Sequence, residues 1–220
     1  MKYRTVFDII GPVMVGPSSS HTAGAARIGK VARTLFGKEP VKASFHLFGS
    51  FEKTYKGHGT DVALVAGILD FETDDPRLPK AIDLAKAKGM EIHFIEEEAK
   101  MEHPNTVKVV LEHGGERIEL VGISIGGGKI EIIELNGFEL KLSGNHPAIL
   151  VVHNDRAGVI AAVANVLAAK SMNIGHMEVS RKEKGQEALM VIEVDQNVDT
   201  DVLHELNKLP HIEHVTKIHE

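Results

Sequence analysis

Three short polar stretches hold the side chains whose types and spacing could do chemistry: Ser18-Ser19-Ser20-His21-Thr22, Gly57-His58-Gly59-Thr60-Asp61 and His103-Pro104-Asn105-Thr106. The first sits directly before an apolar-periodic run (Ala25, Ile28, Ala32, Leu35, Phe36), so its hydroxyls stand where a helix over about 22–36 begins. The first N–H groups of a helix have no internal partner and the macrodipole places partial positive charge there, so a carboxylate or phosphate fits. A serine N-cap accounts for one hydroxyl; three in a row followed by His21 exceed what a cap requires. His58 lies between two glycines before the apolar run Val62 to Leu69, with an exposed backbone and little packing of its own. It is available for chemistry, although a lone loop histidine is usually just solvated. The plain reading of His103 to Thr106 is a turn that opens the next strand.

The elements that must position these residues follow from periodicity. Val41, Ala43, Phe45 and Leu47 alternate with polar residues as in a half-buried strand that Gly49-Ser50 ends. Asp74 to Pro79 reads as a surface connection into a helix from about Lys80 to Lys88, stopped by Gly89, with a strand through Ile92, Phe94 and Ile95. From Thr106 to Leu142 the pattern becomes a four-stranded antiparallel meander: Val107 to Leu111, Ile118 to Ile125, Ile130 to Leu135 and Phe138 to Leu142. Asn136-Gly137 is the strongest hairpin signal. The Ser124-Ile125-Gly126-Gly127-Gly128 turn lets backbone approach a ligand or is a plain flexible hairpin; its glycines match neither a dinucleotide nor a P-loop spacing. Ser143 to Pro147 reads as a domain boundary. The rest alternates as strand Ala148 to Val152, helix Val159 to Lys170, strands Ile174 to Arg181 and Ala188 to Val194, helix Asp201 to Lys208 and strand Ile212 to Ile218, with Asp199 or Thr200 as a cap. That is a ferredoxin-like βαββαβ unit. The expected class is α+β: an N-terminal α/β domain with an antiparallel sheet over 1–143, then the βαββαβ domain over 148–220.

Composition excludes several functions. With 220 residues, 43% apolar and 25% charged, the chain has the make-up of a globular protein of one large or two small domains. A formal charge of -6 with no basic cluster argues against a nucleic-acid partner. Without cysteine the chain forms no disulfide and supplies no thiolate to zinc or to an iron-sulfur cluster. Met1 to Asp8 lacks the apolar run of a signal peptide and no apolar stretch reaches membrane-spanning length, so the expected compartment is the cytoplasm. His211, His214 and His219 lack the helical pair of a His-Glu-x-x-His site and read as solvated, and Glu96-Glu97-Glu98 reads as charged surface. No metal site is expected on this chain.

The C-terminal unit resembles the ACT domain, a small-molecule sensing module of amino-acid metabolism, through Leu150 to Ile160, Ala164 to Leu167 and Asn173-Ile174. The resemblance implies that Asn154, Asp155 and Gly158 contact a regulatory amino acid, or that a monovalent cation is taken instead, and that two copies form a homodimer through this half; some ACT domains bind no ligand. Residues 1–143 resemble the beta chain of the iron-sulfur-dependent L-serine dehydratases, on Ser18 to Thr22, Gly57 to Asp61 and His103 to Thr106 in that order before an ACT unit. Related domains also regulate some phosphoglycerate dehydrogenases. The family converts L-serine to pyruvate and ammonia with a 4Fe-4S cluster as Lewis acid in place of pyridoxal. Such a cluster needs thiolates, so the resemblance implies that a partner alpha subunit carries it and that this chain alone is inactive. By the same resemblance Ser18, Ser19, Ser20 and Thr22 take the substrate carboxylate with His21 as donor or positive charge, His58 is the general base, and His103 and Asn105 touch carboxylate or amino group. His21 and His58 can exchange roles. Two other readings are a non-catalytic amino-acid-binding regulatory subunit and a structural dimerisation subunit with a vestigial pocket.

Overall fold

The structure, a computed structural model, describes residues 12–218. They divide between Asn136 and Gly137 into two compact units. Met1 to Asp8 and His219 lie outside the described residues.

The first unit begins with Ser18 in extended conformation (φ -140, ψ 124), its hydroxyl accepting the His21 N–H. One π-helical turn, Ser19–Ala23, leads directly into α1 (Gly24–Phe36), which ends at left-handed Gly37 (φ 73). β1 (Lys42–Phe48) buries Ala43, Phe45 and Leu47. It passes without a loop into α2 (Gly49–His58), where periodicity gave no helix. The apolar stripe there is only Phe51 and Tyr55, one helical turn apart, and Gly57 lies within it, so the pattern is faint. His58 therefore closes a helix instead of sitting in a loop, and Gly59 (φ 66) stops α2 and admits α3 (Thr60–Ile68). α3 is apolar on every side and buried from Ala63 to Ile68. A short 3-10 turn, Leu78–Lys80, precedes α4 (Ala81–Ala87).

β2 (Glu91–Glu97), β3 (Asn105–His113), β4 (Glu116–Gly126) and β5 (Lys129–Leu135) complete a sheet with the order β2-β1-β3-β4-β5. β1 and β2 are parallel; the other neighbours are antiparallel. α1 lies over β4, where a Cβ on Gly122 would come within 2.8 Å of Ile28. α1 also crosses α3 at almost bare backbone: a Cβ on Gly29 would sit 2.3 Å from the Leu64 carbonyl oxygen, and one on Gly67 would sit 2.1 Å from that of Ala26.

After the Asn136-Gly137 turn, in which both residues take positive φ (48 and 79), the second unit opens with β6 (Phe138–Leu142). β7 (Ala148–Asn154), α5 (Val159–Ala169), β8 (Ile174–Arg181), β9 (Glu187–Val194), α6 (Thr200–Asn207) and β10 (Ile212–Ile218) follow. The four-stranded sheet has the order β10-β7-β9-β8, all antiparallel, which is the anticipated ferredoxin-like arrangement. Its core joins Ile149, Val151, Met190 and Ile192 of the sheet to Val163 and Leu167 of α5 and Val202 and Leu206 of α6. Asp199 takes the cap position of α6 without a side-chain hydrogen bond.

The α1–α3 crossing gives a direct test. Gly67→Ala drives a methyl into backbone and is expected to destabilise the protein by about 1–3 kcal/mol in urea or thermal unfolding. Gly57→Ala, a helical position with open space around its added Cβ, is expected to be neutral or to stabilise by up to about 1 kcal/mol.

Candidate functional site

The three polar stretches meet around His21. Ser18 Oγ accepts the backbone N–H of His21 at 3.1 Å and lies 3.4 Å from its Nδ1. On the far side of the ring, Nε2 is 2.9 Å from Ser50 Oγ, at the start of α2. The imidazole packs edge-to-face on Phe51, with centroids 5.4 Å apart, and on His58, 4.8 Å away at 77°. Buried Thr22 ties the two histidine stretches together by donating from Oγ1 to the His58 carbonyl oxygen at 3.0 Å. His58 is exposed, and among the described residues neither of its ring nitrogens has a hydrogen-bond partner.

The third stretch joins through backbone. Gly49 (φ 58) bridges to Asn105, and the Ser50 N–H donates to the Pro104 carbonyl at 2.7 Å. A Cβ on Gly49 would come within 2.7 Å of that same oxygen, so the glycine permits both the left-handed turn and the close approach. Asn105 Nδ2 donates to the Ser124 carbonyl at 3.3 Å, and Ser124 Oγ donates to the Ser20 carbonyl at 2.8 Å. A Cβ on Gly24 would overlap Ser124 Oγ at 2.1 Å, so glycine there lets β4 touch the helix start. His103 is turned to local work: its Nδ1 accepts the Asn105 N–H at 3.2 Å and its carbonyl accepts Thr106 Oγ1 at 2.6 Å. Beside it opens a cleft of about 560 Å³ lined by residues including Gly49, Lys53, Glu97 and Lys100.

At the helix start the N–H groups of Ser19 and Ser20 find no acceptor among the described residues, so donors remain free where the macrodipole is positive. His21 is held below the ordinary imidazole value, first by burial and then by the His58 ring facing it. It therefore stays neutral more readily than a solvated histidine. Asp61, in the first turn of α3, has its carboxyl raised by burial against the opposing pull of the Val62 N–H, its own N–H and Lys56.

Of the residues picked out from sequence, Ser18, Ser20, His21, Thr22, His58 and Asn105 are brought into one connected cluster, with His103 attached through Asn105. Ser19 Oγ has no hydrogen-bond partner among the described residues. Ser50, which the sequence marks only as a strand end, bonds the central histidine; the local signal is a left-handed glycine followed by a hydroxyl after a strand. Ser124, near the end of β4, braces the helix start.

In the second unit, Asp155 accepts from the Gly185 N–H and from Arg181 Nη1, both at 2.9 Å. These bonds, the backbone one first, hold its carboxyl below the usual range. Asn154 Nδ2 donates to Glu213 Oε1 at 3.0 Å. Gly158 (φ 92) has open space where a Cβ would stand. His153, 2% exposed, has Nδ1 bonded to the Asn154 carbonyl at 2.9 Å and Nε2 without a partner among the described residues. No group of three or more potential metal ligands occurs among the described residues, and no helix there is long and apolar enough to cross a membrane.

Fold and site together define a chain of two modules, a hydroxyl- and histidine-lined polar site followed by an ACT domain. The ACT family model matches residues 148–211, and the model of the serine dehydratase beta chain matches residues 5–90. The chain is 66% identical over 218 residues, 99% of both chains, to a Bacillus subtilis (strain 168) protein named "Probable L-serine dehydratase, beta chain". It is 39% identical over 194 residues, 87% of both, to "L-serine dehydratase, beta chain" of Peptoniphilus asaccharolyticus. It belongs to the L-serine dehydratase beta-chain family. A D-3-phosphoglycerate dehydrogenase of Bacillus subtilis also aligns, at 28% identity, with 86% of this chain and 36% of its own length.

The His21 environment has a measurable consequence. Followed by NMR, its imidazole is expected to titrate below ~6.5, because burial and His58 both disfavour the cation. His58→Ala is expected to raise the midpoint only part of the way, since burial is the larger cause. A wild-type midpoint at or above the ordinary value contradicts this electrostatic account.

Proposed function

We propose that this chain is the beta subunit of a two-chain L-serine dehydratase, and that its first unit forms part of the site at which L-serine becomes pyruvate and ammonia. The observation that carries the reading is the convergence of the three polar stretches on His21. In the reaction the Cα–H and Cβ–OH bonds of serine break and water leaves; the 2-aminoacrylate formed tautomerises to the imine, which takes up water and releases ammonia to leave pyruvate. The N–H groups of Ser19 and Ser20, without acceptors among the described residues, and the hydroxyls from Ser18 to Thr22 suit the substrate carboxylate. His58, exposed and with both ring nitrogens unengaged among the described residues, accepts the Cα proton. His21, whose two nitrogens face hydroxyls of this chain, keeps the neighbouring ring oriented and, with its pKa lowered first by burial and then by His58, takes up an opposing charge less readily than a solvated histidine. Asn105 and His103 border the site on the β3 side.

A 4Fe-4S cluster does not fit this chain. It has no cysteine, and no group of three or more potential metal ligands occurs among the described residues. The cluster that the family uses as Lewis acid thus belongs in this reading to a partner alpha chain, and the beta chain alone is inactive. The ACT unit, through Asn154, Asp155 and Gly158, is the regulatory half and a dimer contact, and the complex is cytoplasmic.

A second reading has one specific support. The alignment with a phosphoglycerate dehydrogenase spans 86% of this chain, so the same pair of modules accompanies a different chemistry and can serve as a non-catalytic amino-acid sensor.

Pyruvate release from L-serine under anaerobic conditions separates the two. Activity is expected only when this chain is mixed with its cluster-bearing partner, and His58→Ala is expected to lower kcat by about 10²–10⁴-fold with complex formation and cluster content unchanged. If the His58→Ala mixture keeps its maximal rate and only its response to serine concentration shifts, the regulatory reading holds instead.

A further inference from the structure

The hydroxyls on either side of His21 have different hydrogen-bond obligations, and the difference sets the direction of the bonds. Ser18 Oγ already accepts the His21 backbone N–H at 3.1 Å, which leaves its own hydrogen to be donated. The acceptor in reach is His21 Nδ1 at 3.4 Å. A neutral imidazole has one bare nitrogen and one N–H. With Nδ1 accepting, the proton is on Nε2 and is donated to Ser50 Oγ at 2.9 Å. Ser50 Oγ is then an acceptor toward His21, and its own O–H points elsewhere. Among the described residues no acceptor receives that hydrogen.

Ser50 is held firmly in this role. Its N–H is bound to the Pro104 carbonyl at 2.7 Å, and its carbonyl accepts Thr54 Oγ1 at 2.7 Å. Left-handed Gly49 fixes the turn before it. A hydroxyl that accepts from an imidazole N–H is a stronger donor at its other end, since chained hydrogen bonds polarise one another.

We propose that Ser50 is a further substrate-binding residue, whose O–H, backed by His21 Nε2–H, donates to a carboxylate oxygen of an α-amino acid lying between the start of the first helix and the start of α2. The inference rests on the reading of the first unit as the serine site. It also favours one chemical class for the group bound there: an ammonium, which only donates, could use the second lone pair of Ser50 Oγ but would leave its hydrogen without an acceptor, whereas a carboxylate takes the hydrogen as it stands.

The test uses the full-length chain with ¹⁵N-labelled histidine, as wild type, Ser50→Ala and Ser50→Thr, observed by long-range ¹H–¹⁵N spectra with and without L-serine, and the same variants assayed with the partner chain. The wild type is expected to show His21 as the Nε2–H tautomer, with a serine-dependent change at Nε2. Ser50→Ala is expected to keep that tautomer, which Ser18 sets, and to lose the serine-dependent change at Nε2, and Ser50→Thr to keep both. In the mixture Ser50→Ala is expected to raise KM for serine roughly tenfold or more with kcat within about threefold, and Ser50→Thr to restore KM. An Nδ1–H tautomer in the wild type, serine-dependent shifts that persist in Ser50→Ala, or an unchanged KM overturns the proposal. If the wild-type mixture releases no pyruvate, the dehydratase reading fails, and the histidine spectra still decide the Ser50 assignment by themselves.

Discussion

The first unit depends on the close crossing of α1 and α3. Two helices with ordinary side chains at their contact stay 8–10 Å apart. Here Gly29 and Gly67 face backbone at distances that no Cβ tolerates, so the helices come together as nearly bare cylinders. Their N-terminal ends are thereby brought together as well, and Thr22, in the turn before α1, reaches the carbonyl of His58, just before α3. The edge-to-face contact of His21 and His58 follows from that crossing. Gly24 repeats the device on the sheet side, where its missing side chain admits Ser124 to the helix start.

What the crossing assembles is a site with many donors and few fixed charges. Among the described residues, hydroxyls and N–H groups without acceptors line the helix start, the central histidine is biased toward neutrality, and the second histidine is exposed with its nitrogens unengaged. Such a surface favours an anion without holding a permanent counter-charge, and it leaves an imidazole free to move a proton. The chain has no cysteine, and no group of three or more potential metal ligands occurs among its described residues.

The second unit was nearly all legible in the sequence. Its strands from Ala148 on alternate cleanly, and its four-stranded sheet has the order expected of a βαββαβ unit, whereas Asn136-Gly137 reads as a hairpin turn within the first domain. In the first unit α1, β1 and the run of strands β3 to β5 were equally readable. α2 was not, because only Phe51 and Tyr55 give it an apolar stripe. That gap hid the most informative neighbour of His21: Ser50 gains meaning only when a helix begins at Gly49 and turns its hydroxyl toward the first polar stretch. The sequence marked which stretches carried chemistry. Their contacts depend on close backbone approaches at Gly24, Gly29, Gly49 and Gly67, and no local pattern announces which glycines serve that purpose.

The central claim is that L-serine is held where these stretches meet. Hydrogen exchange by mass spectrometry on this chain mixed with its proposed alpha partner, with and without L-serine, tests it most directly. The account predicts serine-dependent protection in residues 16–24, 49–58 and 103–106. Protection confined to residues 153–159 and 181–186 would place the amino acid at the ACT loop and contradict it.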